Sequence, residues 1–165
     1  MILSKLLWTL LNCLLKQSNS ENYLKPEITR YSATNYAMMA RLQGHNIEIL
    51  YGILDSKYYY TDIEGWGQAL QWIYLTQEMP KYSVVDGKWN LDCEDMTIWL
   101  KAMLSLHFGL NAQGIIIGDM PQGRHGFNML ITQDEELIWE PNPGFNLDAP
   151  FDIGENGYKP LFWFG

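Results

Sequence analysis

The chain has 165 residues, of which 47% are hydrophobic and 18% are charged. This length fits one domain with a sizeable core, and the composition excludes a disordered chain. The formal net charge is -8. Because no Lys/Arg cluster offsets that charge, we do not expect the chain to bind nucleic acid.

Residues 1–25 are predicted to form an amphipathic helix followed by a linker. Apolar residues recur there at helical spacing, namely Ile2, Leu3, Leu6, Leu7, Leu10 and Leu14. The apolar stretch is too short to span a bilayer, and no small-x-small cleavage site follows it. We therefore expect the helix to bury Leu6, Leu10 and Leu14 against the domain or a partner, and we do not expect membrane association.

Residues 26–165 are predicted to form a single domain. Helical patterns cover residues 32–42, 66–78 and 93–108, with Asp92 as the N-cap of the last helix and Gly109 as its stop. Strand patterns cover residues 115–117, 127–132 and 136–139. Helices followed by antiparallel strands predict an α+β fold.

Cys93 opens the third predicted helix, where backbone amides favour a thiolate. Its acidic neighbours Asp92, Glu94 and Asp95 are unusual around a buried structural cysteine, although they also oppose the thiolate. Cys13, the other cysteine, lies in the leucine-rich segment, so both are expected to be free thiols. Free thiols and the lack of a clear signal peptide slightly favour the cytoplasm, but the sequence leaves the location open.

His125 is the histidine best placed to partner Cys93. His107 lies at the far end of the cysteine helix, about two dozen Å away at the usual helical rise. His45 follows Gly44 and reads as a surface residue. His125 lies between glycines that let backbone come close, so it is the predicted base, with an exposed loop histidine as the alternative.

Glu140 ends a strand and is the predicted third residue, since a carboxylate can orient an imidazole. Asn142 is the alternative third member. Trp89 and Asn90 are the oxyanion or substrate-side candidates, besides the Cys93 amide. Two cysteines and three scattered histidines give no metal-ligand spacing, so no metal and no cofactor is expected.

These segments resemble the transglutaminase-like superfamily of papain-like cysteine enzymes, in its bacterial and phage cysteine-proteinase branch. The resemblance rests on four segments within residues 58–145: Tyr60-Thr61-Asp62, Asp92-Cys93-Glu94-Asp95, the strand that carries His125, and Trp139-Glu140-Pro141. It implies a papain-like core in which Cys93 opens a helix packed on an antiparallel sheet that carries His125 and Glu140. Many relatives have Asp at the third position, so Glu140 departs from the pattern.

The resemblance implies a thiol hydrolase that cleaves a peptide or amide bond through Cys93, His125 and Glu140 and an acyl-enzyme. Two alternatives stay open at this point. A transglutaminase-type acyltransferase would use the same residues with an amine in place of water. A non-catalytic interaction or structural module would keep the constellation without turnover. The expected partner is a peptide or protein substrate.

Overall fold

A computed structural model describes residues 24–50, 55–80, 84–85, 88–89, 92–145 and 149–164. The helix predicted over residues 1–16 lies outside these residues. Three helices are described, α1 (Asn35–Gly44), α2 (Ile63–Thr76) and α3 (Cys93–Phe108). No helix in the described part is long and apolar enough to cross a membrane.

The strands form one large sheet and two two-stranded sheets within the described residues. The first five are β1 (Tyr31–Thr34), β2 (Glu48–Ile49), β3 (Lys57–Tyr60), β4 (Val84–Val85) and β5 (Lys88–Trp89). The other five are β6 (Gln113–Met120), β7 (Gly123–Ile131), β8 (Glu136–Trp139), β9 (Phe151–Asp152) and β10 (Lys159–Phe164). β1 pairs with β3, β4 pairs with β5, and the large sheet has the order β2-β10-β6-β7-β8-β9.

The large sheet is mixed, which corrects the predicted antiparallel sheet of a papain-like core. β2 runs parallel to β10, with Glu48 opposite Phe162 and Ile49 opposite Trp163, whereas its other described pairs are antiparallel. The Leu50 amide extends this contact by donating to the Trp163 carbonyl at 3.0 Å. A pairing of two short segments more than a hundred residues apart leaves no local pattern, so the sequence could not predict it.

Capping side chains explain where two helices begin. Asp62 accepts a hydrogen bond from the Gly65 amide at 2.8 Å, so α2 begins at Ile63, before the predicted start at Trp66. Thr34 accepts from the Ala37 amide at 3.3 Å and starts α1. The residues before Thr34 pair with β3 as a strand, which shortens the helix predicted from residue 32.

The core has two parts that meet at the sheet. One lies between the sheet, α1 and β3, and it contains Met38, Leu42, Tyr58, Ile116, Phe127 and Trp163. The other joins α2 and α3 to Leu130 and Trp139 of the sheet, and it contains Trp66, Leu70, Ile73, Leu100 and Leu104. Burying each such apolar side chain stabilises the fold by about 1.5–3 kcal/mol. This packing holds α3 against β6 and β7, so the first residue of α3 faces β7.

Candidate functional site around Cys93

Cys93 is the first residue of α3 and is partly exposed. The Asp92 amide donates to Asp95 Oδ2 at 3.1 Å, which closes the first turn behind the cysteine. The Cys93 sulfur accepts a hydrogen bond from the Gly126 amide at 3.4 Å, and as a thiol it donates to Glu94 Oε2 at 3.3 Å. One residue therefore receives a backbone donor from β7 at the positive end of α3.

Gly126 allows α3 and β7 to approach this closely. A Cβ at position 126 would lie 3.5 Å from the Cys93 sulfur and 3.4 Å from the Glu94 amide nitrogen. Those are ordinary contacts, but a larger side chain would cover the sulfur. Of the two glycines beside His125 that are predicted to allow close approach, Gly126 is the one that meets Cys93.

His125 lies on β7 and is 9% exposed. Its Nε2 is 2.8 Å from Glu140 Oε2, a buried pair. The Cys93 side chain is the other polar group that acts on the ring, and it contributes to the raised pKa of His125. Phe145 packs against the ring with centroids 5.0 Å apart. The imidazole is therefore held between a sulfur and a carboxylate.

Glu140 follows β8 and is 3% exposed, so its carboxylate depends on protein donors. Oε1 accepts a hydrogen bond from the backbone N–H of Asn142 at 2.8 Å. Oε2 accepts one from the Tyr158 hydroxyl at 2.8 Å, in addition to its contact with His125. Tyr158 is not among the residues that the sequence predicts for the site. No spacing could have found it, because it approaches from the segment before β10 rather than from the strands that carry the site.

The environment of His125 favours its charged form. Burial lowers the pKa of His125, but hydrogen bonds with Cys93 and Glu140, together with their negative charges, outweigh burial and raise this pKa from 6.5 to about 9. An imidazolium beside a sulfur stabilises negative charge on that sulfur. At neutral pH the site therefore holds an imidazolium at His125 beside the Cys93 sulfur.

Asp92 and Glu94, which flank Cys93 in the sequence, share a hydrogen bond that depends on the protonation of one of them. A hydrogen bond with Glu94, then burial, then the charges of Glu94 and Asp95 raise the pKa of Asp92 from 3.8 to about 6. The same hydrogen bond lowers the pKa of Glu94. The opposite directions mean that one proton belongs to the pair and stays mostly on Asp92. In mildly acidic solution the negative charge beside Cys93 is therefore smaller than the acidic side chains in the sequence suggest.

The other residues predicted for the site lie elsewhere or outside the description. The Asn142 amide oxygen accepts from the Gly144 amide at 2.9 Å, so it is Glu140 rather than Asn142 that meets His125. Trp89 belongs to β5, of which only the backbone is described. Asn90 lies outside the described residues. The roles proposed for Trp89 and Asn90 stay predictions.

The two remaining histidines make their contacts away from Cys93. His45 Nε2 is 2.9 Å from Glu136 Oε2, at the far end of β8 from Glu140. His107 lies in the last turn of α3, with its ring 5.0 Å from the Trp72 ring. Both positions agree with the reasons for which they were set aside in favour of His125.

One group among the described residues could offer ligand atoms to a metal. Asp92, Cys93 and Glu94 each place a possible ligand atom within 4.8 Å of the others. These atoms already bond within the group, since Glu94 accepts from Cys93 and shares a hydrogen bond with Asp92. We therefore assign no metal to them.

The fold resembles that of lectin chains. A structure described as a PSL1a-E64 complex matches with a TM-score of 0.57 and 16% identity, over 81% of this chain and 51% of that chain. The Polyporus squamosus lectin bound to the human-type influenza-binding epitope Neu5Aca2-6Galb1-4GlcNAc matches with a TM-score of 0.53 and 15% identity, over 81% and 49%. No family model and no curated protein matches the chain.

These neighbours correct the family predicted from the sequence. The solved structures are lectin chains rather than transglutaminase-like enzymes, so the assignment to that superfamily and to its papain-like core is wrong. The predictions of a peptide or amide hydrolase, of an acyltransferase and of a cysteine protease are corrected with it. The order Cys, His, carboxylate was too short a signal, because three residue types in sequence order do not specify a fold.

At these identities the likeness shows the fold alone. The chain also spans about half the length of the two lectin chains, so their binding properties do not transfer with the fold. The contacts among Cys93, His125 and Glu140 stand independently of the comparison.

Proposed function

We propose that the chain is a ligand-binding module in which Cys93 forms a covalent bond with an electrophilic ligand, one ligand per chain. The observation that supports this proposal best is the buried contact of 2.8 Å between His125 and Glu140 next to the Cys93 sulfur. The buried carboxylate stabilises the imidazolium, and the imidazolium stabilises a thiolate. Capture of this kind is stoichiometric and requires no turnover.

An epoxide is a suitable ligand because its opening needs a nucleophile and a proton donor, which Cys93 and His125 can supply. The Cys93 thiolate attacks one epoxide carbon, forming a carbon–sulfur bond as the carbon–oxygen bond of the ring breaks. The oxygen keeps the electron pair of the broken bond and stays attached to the other ring carbon. It takes the proton of the His125 imidazolium, so the product is a thioether with a neutral hydroxyl. His125 ends neutral, and Glu140 keeps its charge and its bonds.

The name of one structural neighbour agrees with this choice of ligand. That protein was solved in a complex with E64. As a compound, E64 carries an epoxide ring. We propose that this chain also binds E64, through Cys93. Cys93 is partly exposed, which supports access of a ligand to its sulfur.

Intact-mass measurement after incubation with E64 tests the proposal. We expect one adduct per chain in the parent and in Cys13→Ala, the matched control, and none in Cys93→Ala. His125→Ala is expected to slow the alkylation by about 100-fold or more, because it removes both the cation and the proton donor. The rate should fall as pH rises through about 9, where His125 loses its proton. A Cys93 that reacts no faster than free glutathione would refute the proposal.

Binding of an acidic glycan is a second candidate function. It is favoured by the epitope bound to the other neighbour, which includes an acidic sugar, and by the surface around Tyr59. The Tyr59 ring is 37% exposed, with the Arg30 guanidinium 5.7 Å and the Lys57 ammonium 5.6 Å from its centroid. The exposed ring can contact the apolar face of a sugar, and the two neighbouring cations can pair with its carboxylate.

Calorimetric titration with Neu5Aca2-6Galb1-4GlcNAc tests this second candidate. We expect binding to require the terminal acidic sugar and to be lost in Tyr59→Ala, with Tyr36→Ala as the matched exposed tyrosine (83%). Equal heats for the epitope and for Galb1-4GlcNAc would contradict it. Cys93→Ala should leave glycan binding unchanged, which separates the two candidates.

A further inference from the structure

An apolar stripe runs along the exposed side of α3. Ile98, Ala102 and Leu106 lie four residues apart on one ridge of the helix and are all exposed, Ile98 at 51% and Leu106 at 74%. The opposite side of the helix supplies Leu100 and Leu104 to the core. Large apolar side chains in a row on the outer side of an already packed helix indicate a surface that another element covers.

We propose that this stripe is the docking surface for residues 1–16 of the same chain. The first described residues lie beside the end of α3: Lys25 Nζ is 5.1 Å from the centroid of the Phe108 ring, and Leu24, which precedes it, is 90% exposed. The preceding segment therefore joins the described chain at the C-terminal end of α3. Residues 17–23 link it to Leu24 and can span up to about 25 Å, enough to reach the outer side of the helix.

The apolar residues of segment 1–16 have the same spacing as those of the stripe on α3. Leu6, Leu10 and Leu14 are also four residues apart. A helix carrying them, laid parallel to α3, would place Leu14 beside Leu106, the small Ala102 opposite Leu10, and Leu6 beside Ile98. Each set spans about 12 Å at the usual helical rise. Ridges of residues four apart are those that pack in helix pairs.

The charges at the far end also agree with this direction. In the parallel arrangement Lys5 would come near the first turn of α3, where Glu94 is exposed and Asp92 and Asp95 add further acidic groups. The reversed direction would place Lys5 at the end of α3 beside Lys25. The structure thus assigns the stripe to this segment with Leu14 at the Leu106 end.

Thermal unfolding of four proteins tests the docking. Ile98→Gln/Leu106→Gln is made in the full chain and in a chain that lacks residues 1–16. We expect the double substitution to lower the melting temperature of the full chain by several degrees and to leave that of the shortened chain unchanged. Tyr36→Gln, an exposed aromatic on α1, should change neither. Equal loss in both chains would overturn the proposal.

Oxidative crosslinking tests the register without depending on the shortened chain. In a Cys93→Ala background the native Cys13 should form an intramolecular disulfide faster with Leu106→Cys than with Ile98→Cys. The opposite preference, or equal rates, would overturn the arrangement. A dimer in light scattering that Leu106→Gln dissociates would assign the stripe to a second copy instead, and vesicle binding that Leu106→Gln abolishes would assign it to a membrane surface.

Discussion

The Tyr158 hydroxyl donates a hydrogen bond to Glu140 at 2.8 Å, on the oxygen that also meets His125. Both Tyr158 and Glu140 are almost fully buried, at 2% and 3% exposed. Burial, then the charge of Glu140 and the hydrogen bond to it, raise the pKa of Tyr158, so the hydroxyl remains a donor. Tyr158 therefore positions the carboxylate that in turn holds the imidazole.

Replacing Tyr158 by Phe should loosen that carboxylate. The variant Tyr158→Phe leaves a buried, charged acceptor without one of its donors, so we expect the free energy of unfolding to fall by about 1–3 kcal/mol. Because the carboxylate then interacts more strongly with His125, the pKa of His125 should rise further. Denaturant unfolding and an NMR titration of the His125 ring measure the two effects. Tyr36→Phe, an exposed control, should change neither, and an unaltered His125 titration in Tyr158→Phe would argue against the positioning role.

Neutralising Glu140 should lower the pKa of His125 and slow the alkylation of Cys93. Glu140→Gln keeps the shape but removes the charge that stabilises the imidazolium, so the pKa of His125 is expected to fall well below about 9. Alkylation by E64 should slow by about 10- to 100-fold. Glu136→Gln is the matched control at the other end of β8, since Glu136 pairs with Arg41 and His45 instead. Parental alkylation in Glu140→Gln would show that the carboxylate does not support the thiolate.

The site could be predicted from sequence only where the information was local. Cys93 at a helix start followed from the Asp92 capping pattern, and His125 followed from eliminating His45 and His107. The Tyr158 hydroxyl could not be predicted because it depends on how distant segments pack. The same holds for the parallel pairing of β2 with β10. The family assignment failed because it rested on residue order, which different folds can share.

Gly114 lies under the Trp163 ring and should not accept a side chain. A Cβ at this position would overlap the ring atoms of Trp163, which is 1% exposed and has no room to move. Overpacking of this kind costs about 1–3 kcal/mol, so Gly114→Ala is expected to lower the free energy of unfolding by that amount. Gly44→Ala is the control, because no atom lies within 4 Å of its added Cβ. Equal stabilities of the two variants in urea would contradict the close contact between β6 and β10.

The last prediction concerns stability in mildly acidic solution. The pKa of Asp92 is raised to about 6, so the folded chain holds a proton there that the unfolded chain loses at about 3.8. The resulting stabilisation is complete below pH 3.8 and is lost as pH rises through about 6. The lowered pKa of Glu94 acts in the opposite direction, but its effect is complete once pH exceeds the ordinary value of 4.5.

Asp92→Asn should remove this pH dependence, because asparagine caps a helix without titrating. Relative to the parent, the variant is expected to gain stability between pH 4.5 and 6, by an amount on the order of 1 kcal/mol after allowance for solvent screening. Melting temperatures measured every half unit from pH 4 to 7 give the difference curve. A flat difference curve for Asp92→Asn would mean that Asp92 and Glu94 share no proton beside Cys93.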